Sequence, residues 1–184
     1  MSTCTICGNT LPPATRAEPP RYCSGACRQK AYRQRHKTPF PLAMRQARRW
    51  ARSDGKRPIQ PDGTPASSTD PGTWHTFANV QTGAGDGYGF MLGDGFACWD
   101  LDHCLHDGQI TNPLARQVID GIGEQWTYQE ISISGQGLHI FVHSTSPSYK
   151  TKNIEYYSHS RYIKTTGNTW LRKTQIMKLV YDEI

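Results

Sequence analysis

Nowhere in these 184 residues does an apolar run approach the ~20 needed to span a bilayer. Apolar residues make up only 36% of the chain, and the mean hydropathy is −0.66. Met1-Ser-Thr-Cys has none of the apolar character that heads a secretory leader. These absences predict a soluble, cytoplasmic protein with no membrane partner. Acid is scarce at one end. Residues 1–57 hold thirteen Lys/Arg against only Glu18 and Asp54, whereas the rest holds eight Lys/Arg against thirteen Asp/Glu. A basic head on a mildly acidic body points to a polyanion-binding arm joined to a domain with its own carboxylate-rich site.

What is present begins with cysteine. Cys4-x-x-Cys7 and Cys23-x-x-x-Cys27 frame fifteen intervening residues. Two close thiolate pairs are a donor set that tetrahedral Zn²⁺ takes, and without a secretory leader disulfides are the weaker alternative. Pro12, Pro13, Pro19 and Pro20 make the connector a stiff loop. Cys98 and Cys104 read as packed thiols, not ligands. After Cys27 the run from Arg28 to Lys37 predicts a cation-dense helix, with Tyr32 as a stacking surface. Such a helix suits phosphate contacts without sequence preference.

The body reads as α+β. A second helix is predicted over about Leu42 to Arg52, with Met44, Ala47, Trp50 and Ala51 as its stripe. Ser/Thr/Asp ahead of Pro71 predicts a short helix carrying Trp74 and Phe77 into the core. Tyr88 to Leu92, the turn Gly93-Asp94-Gly95, and Phe96 to Asp102 read as a hairpin. Asn112-Pro113 opens a helix with Leu114, Val118, Ile119 and Ile122 on one face. Strands follow at Thr127–Ser132 and Leu138–Val142, then a hairpin of Ile154–Tyr157 with Arg161–Thr165 and a short terminal helix. Trp74, Trp99 and Trp126 are expected in the core.

One stretch organises this body, Gly95-Phe-Ala-Cys-Trp-Asp-Leu-Asp-His103. Strand side chains alternate, so Asp100 and Asp102 project together, roughly 6–7 Å apart at Cβ. That span suits joint ligation of Mg²⁺ or Mn²⁺. Glu155 is a candidate third acid. The Ser134-Gly135-Gln-Gly137 turn offers backbone N–H groups to phosphates, His139 a donor to a triphosphate oxygen, and Arg161 and Lys164 charge for leaving pyrophosphate. Taken singly, each has a blander reading: a solvated strand end, a satisfied strand histidine, cross-strand surface charges. Their joint placement points to nucleotidyl transfer.

Four segments in order resemble the archaeo-eukaryotic primase superfamily, in its phage and plasmid primase–polymerase branch. They are Gly55-Lys-Arg-Pro-Ile with Ala66–Trp74; Trp99-Asp-Leu-Asp-His-Cys104; Glu130-Ile-Ser-Ile-Ser-Gly-Gln-Gly-Leu-His139; and Ile154-Glu-Tyr-Tyr with Arg161–Gly167. The resemblance implies an α/β unit packed on an RRM-like sheet. With the cysteine pairs and the basic run marking off a residue 1–37 module of zinc knuckle and basic helix, it implies a catalytic domain over 38–184. Asp100 and Asp102 fall at the family's metal-binding aspartates, Glu155 at the third acidic position and His139 at the nucleotide-contacting histidine. Arg161 and Lys164 fall where phosphate contacts are expected. The implied partners are a single-stranded DNA template and nucleoside triphosphates. Longer members carry a helicase and a helical priming module, so a separate helicase is expected here.

Two other readings compete. A replication-initiator nuclease needs two histidines one residue apart and a helical tyrosine nucleophile, whereas His139 and His143 are four apart and Tyr156/Tyr157 lie in a strand pattern. A zinc-bearing DNA-binding replication protein with an inactive polymerase-like body gains nothing from carboxylates clustered near phosphate.

Overall fold

The computed structural model describes residues 3–4, 6–11, 20–36, 39–122, 127–152, 154–171 and 176. Trp126, the terminal helix, Lys37 and all but Pro20 of the connector prolines lie outside the described residues. The chain forms two compact units, Met1–Thr38 and Pro39–Ile184. In the first, α1 (Gly25–His36) starts inside the second cysteine pair. The Cys27 N–H donates to the Ser24 hydroxyl at 3.2 Å, the way a serine caps a helix start.

The second unit is strand-rich α+β. After α2 (Leu42–Gln46) come β1 (Trp50–Asp54), β2 (Arg57–Ile59), β3 (Gly87–Met91), β4 (Phe96–Leu101), β5 (Leu105–His106) and β6 (Gln109–Ile110). Then follow α3 (Pro113–Ile122), β7 (Gln129–Ile131), β8 (Leu138–His143), β9 (Tyr149–Lys150), β10 (Ile154–Tyr157), β11 (Tyr162–Thr165) and β12 (Thr169–Leu171). A four-stranded sheet runs β11-β3-β1-β2, a six-stranded sheet β12-β7-β8-β4-β10-β9, and β5 pairs with β6. Every pairing is antiparallel.

The six-stranded sheet is the middle layer. On one face Ala97, Trp99, Leu101, Leu138, Ile140 and Val142 pack with Ala115, Ile119 and Ile122 of α3. On the other, Cys98, Tyr128 and Phe141 pack with Trp50, Phe90 and Ile163 of the four-stranded sheet. Asn112 caps α3 by accepting from the Leu114 and Ala115 N–H groups. Ala115, not the exposed Leu114, completes its buried stripe.

Three sequence expectations fail, each for a physical reason. The helix from Leu42 stops at Gln46 because Ala47 is extended (φ −73, ψ 136). Trp50 and Ala51 are buried as strand residues, with the Trp50 indole N–H donating to the Met44 carbonyl at 2.7 Å. β3 and β4 are joined by a tight turn yet enter different sheets. β4 is apolar on both faces, so β3 lies across it as cover instead of beside it. β10 and β11 likewise part, β10 pairing with β4 and β11 with β3. The Pro71 helix is a single turn, Pro71–Thr73, capped by Asp70 and followed by buried Trp74.

Candidate active site

Strand alternation carries the polar site straight on from the inter-sheet core. Cys98 and Phe141 face the four-stranded sheet. Two residues along, Asp100 and His139 share that face where the apolar cover ends. Register then sets a row across five strands. Glu130 lies opposite His139, His139 opposite Asp100, Asp100 opposite Glu155, and Glu155 opposite Lys150. Directly opposed side chains have Cβ atoms about 4.5–5.5 Å apart, so the row runs unbroken from strand to strand.

Asp102 follows the end of β4, and with Asp100, His139, Ser134, Arg161 and Lys164 it lines a cleft of 480 Å³. Burial raises the Asp100 pKa, and the Asp102 and Glu155 charges add to that while His139 opposes it. The Asp100 carboxylate is thus a poorly solvated acid beside two others, and a bound cation would relieve the cost of its charge. This donor chemistry fits Mg²⁺ or Mn²⁺ at Asp100 and Asp102. Glu155 is placed beside them but already engaged. Lys150 pairs with it, the Tyr157 hydroxyl donates to it at 2.5 Å, and an Arg161 nitrogen lies 3.5 Å away. Against the effect of burial, these partners hold its carboxyl below the usual range.

The cations divide by how tightly they are held. Arg161 stacks over Tyr157 at 4.4 Å. Lys164 lines the cleft with two of its three N–H donors engaged, one by the Asp86 carboxylate at 2.9 Å and one by the Gly55 carbonyl at 2.8 Å. Lys56, on the β1–β2 turn, is a further cation on the cleft wall to which the sequence reading gives no role.

The Ser134–Gly137 turn is placed beside the aspartates, but it consumes its own donors. The Gly135 N–H goes to the Ser132 carbonyl, the Gln136 N–H to the Ser134 hydroxyl, and the Gly137 N–H to the Ser132 hydroxyl. Ser134 lines the cleft. Gly137 packs instead against β4, where an added Cβ would come within 2.8 Å of the Leu101 carbonyl.

Glu130 is the residue whose part the sequence reading missed. Its side chain is fully buried, and one carboxylate oxygen lies 3.0 Å from His139 Nδ1. The other ring nitrogen, Nε2, is 3.6 Å from Asp100 Oδ1. Burial pulls the His139 pKa down, but Glu130 and then Asp100 and Asp102 more than reverse it, so the net shift is upward. The clue in the sequence was register: a strand–turn–strand with Gly135 and Gly137 sets Glu130 opposite His139.

In the other unit, the sulfurs of Cys4, Cys7, Cys23 and Cys27 all lie within 4.8 Å of one another. Cys7–Cys23, Cys27–Cys7 and Cys23–Cys27 are 3.4, 3.6 and 3.7 Å apart. Zn–S bonds of ~2.3 Å imply tetrahedral edges of about 3.8 Å, against ~2.05 Å for a disulfide. The set fits zinc. Among the described residues it is the one group of three or more His, Cys, Asp or Glu ligand atoms so closely gathered. Cys98 and Cys104 are buried thiols whose pKa burial raises.

No family model matches the chain. Over 142 residues it is 37% identical to a protein of Nitratiruptor phage NrS-1 named DNA primase-polymerase. Most of this chain thus resembles part of a primase-polymerase. The likeness takes in 68% of the chain but only 19% of the phage protein, so the chain spans about a fifth of its relative. No helix among the described residues is long and apolar enough to cross a membrane.

Proposed function

We propose that the chain is a DNA-templated nucleotidyltransferase of the primase–polymerase kind, making or extending short strands in phage or plasmid replication. The observation that carries this reading is the row Glu130–His139–Asp100–Glu155, whose His139 and Asp100 open with Asp102 onto a cleft that also takes Arg161, Lys164 and Lys56. Carboxylates alone would suit many hydrolases. Carboxylates faced by three cations suit a triphosphate. The likeness to the phage protein supports the same reading, and we infer with it an α/β unit on an RRM-like sheet and a division into residues 1–37 and 38–184.

Asp100 and Asp102, with Glu155 beside them, would hold the divalent metals. Such metals supply stabilisation of charge on phosphoryl oxygens and a lower pKa for the attacking 3′-hydroxyl. The chain's own groups do the rest. His139 presents Nε2 to a phosphate oxygen, Ser134 its hydroxyl, and Arg161, Lys164 and Lys56 receive the charge of departing pyrophosphate. Arg161 must leave Glu155 partly to do so, its place over the Tyr157 ring serving as a pivot. The four-cysteine unit with zinc and its cation-rich helix would hold template or primer, and a separate helicase would open the duplex.

The test is synthesis on a single-stranded template with labelled nucleotides and Mg²⁺ or Mn²⁺, with and without primer, beside Asp100→Ala. Metal-dependent product without primer, lost in the variant, identifies a primase. Extension of a supplied primer only identifies a polymerase. Absence of product while DNA is still bound overturns the enzymatic reading in favour of a replication binder.

A further inference from the structure

A carboxylate with no exposed surface needs a reason to be there, because desolvating it costs several kcal/mol unless its oxygens are fully bonded. Glu130 is bonded at every side. The Tyr128 hydroxyl and the Gly167 N–H donate to one oxygen at 2.8 and 2.9 Å, and the Thr166 N–H to the other at 3.2 Å. His139 Nδ1 completes the set at 3.0 Å. A leucine would fill the same space at lower cost. What the carboxylate adds is an acceptor that cannot rotate, since backbone N–H groups and a buried phenol clamp it.

We propose that Glu130 is the positioning residue for His139, locking the imidazole so that Nδ1 is spent on the buried carboxylate and Nε2 is aimed at the cleft beside Asp100. This rests on the nucleotidyl-transfer reading for the value of a fixed Nε2, but the lock itself does not. An unclamped strand imidazole changes χ2 freely and presents either edge. Here the ring is held from behind, as carboxylates hold metal-bound histidines. The same carboxylate grips Thr166 and Gly167, just past Lys164 on β11, so one buried group ties the histidine to the segment that carries a cleft lysine. Glu130 touches neither the cleft nor any reacting atom, and its effect must run through His139.

The experiment is a double-mutant cycle with a spectroscopic arm. Glu130→Gln should lower kcat/KM for nucleotide addition by about 10–100-fold, the usual cost of losing a carboxylate behind a functional histidine. In a His139→Ala background the same change should cost less than about 3-fold, because the residue it acts through is gone. Equal losses in both backgrounds would mean a purely structural role and overturn the proposal. In ¹⁵N-histidine-labelled protein, the Nδ1–H signal of His139 should lie far downfield and move upfield in Glu130→Gln. A signal indifferent to that change overturns the lock whatever the activity. An inactive wild type counts against the nucleotidyl-transfer reading alone and leaves the spectrum to decide this one. Should Glu130→Gln not fold, Glu130→Asp keeps the charge while withdrawing it from Nδ1, with the same expectations.

Discussion

Replacing Asp100 with Asn should abolish nucleotide addition and yet make the protein harder to unfold at neutral pH. At an effective dielectric constant near 20, His139 Nε2 at 3.6 Å from Asp100 Oδ1 contributes about 4–5 kcal/mol of attraction. Asp102 and Glu155, at roughly 6 Å, each oppose this by about 2–3 kcal/mol. The charge terms nearly cancel. What remains is the burial of a carboxylate with 19% of its side chain exposed, and burial favours the neutral form. Relieving an active site of such strain commonly stabilises by on the order of 1 kcal/mol. In a domain of this size that raises Tm by about 2–4 °C. An acid whose pKa is raised on folding costs stability above that pKa and returns it as the pH falls through it. The gap between variant and wild type should therefore be widest at neutral pH and close toward pH 4. Millimolar Mn²⁺ should raise the wild-type Tm and leave the variant's unmoved, because a ligand stabilises only the state that binds it. Thermal scans at pH 7, 5 and 4, with and without Mn²⁺, read all of this. An Asn variant that melts below wild type at pH 7 refutes the electrostatics.

Four further outcomes are expected. Asp102→Asn should end synthesis with little change in Tm, since Asp102 sits at the rim outside both cores; primer-extension and thermal scans check it. Deleting residues 1–37 should weaken single-stranded DNA binding and flatten its dependence on salt, because fewer phosphates are then neutralised; fluorescence anisotropy at several salt concentrations measures the slope. Gly89→Ala should cost about 3 kcal/mol or more, as the added Cβ would come within 2.2 Å of the Ile163 carbonyl and 2.7 Å of the Tyr162 ring, and urea unfolding reads the loss. Asp86→Ala should free Lys164 from its carboxylate partner and tighten binding of inorganic pyrophosphate, a change titration calorimetry would register.

The chemistry-bearing residues were legible because they stand at fixed spacings: the alternation of Asp100 and Asp102, the glycine turn before His139, the two cysteine pairs. Strand positions and α3 were legible for the same reason. Pairing was not. Gly93-Asp94-Gly95 looks like a hairpin turn, and as a turn it is one, with Gly93 and Phe96 bridged. Nothing local says that the two strands it joins will stack instead of pair. That follows from β4's two apolar faces, Ala97/Trp99/Leu101 and Cys98, which need cover from α3 on one side and a second sheet on the other. The helix over Leu42–Arg52 failed similarly, because a stripe at 44, 47, 50 and 51 cannot distinguish a helix from one turn followed by a strand buried on both faces.

The stacking that the sequence concealed is also what makes a site possible. Had β3 paired with β4 and β10 with β11, Arg161 and Lys164 would lie in the plane of Asp100, as surface charges along one sheet. Instead β10 and β11 part at His159–Ser160, and Ser160 takes a left-handed conformation (φ 54) as the chain crosses between layers. The crossing carries Lys164 into the other sheet and leaves Glu155 with the aspartates, with Arg161 at the crossing itself, over Tyr157. Ser68 donates to the Ser160 carbonyl at 3.0 Å and fixes the rim of that crossing. Asp100 on one layer and Lys164 and Lys56 on the other, with a cleft of 480 Å³ that all three line, is a separation of charge that one sheet cannot produce. Which acid accompanies the aspartates and which cations face them is therefore decided by where the chain changes sheet.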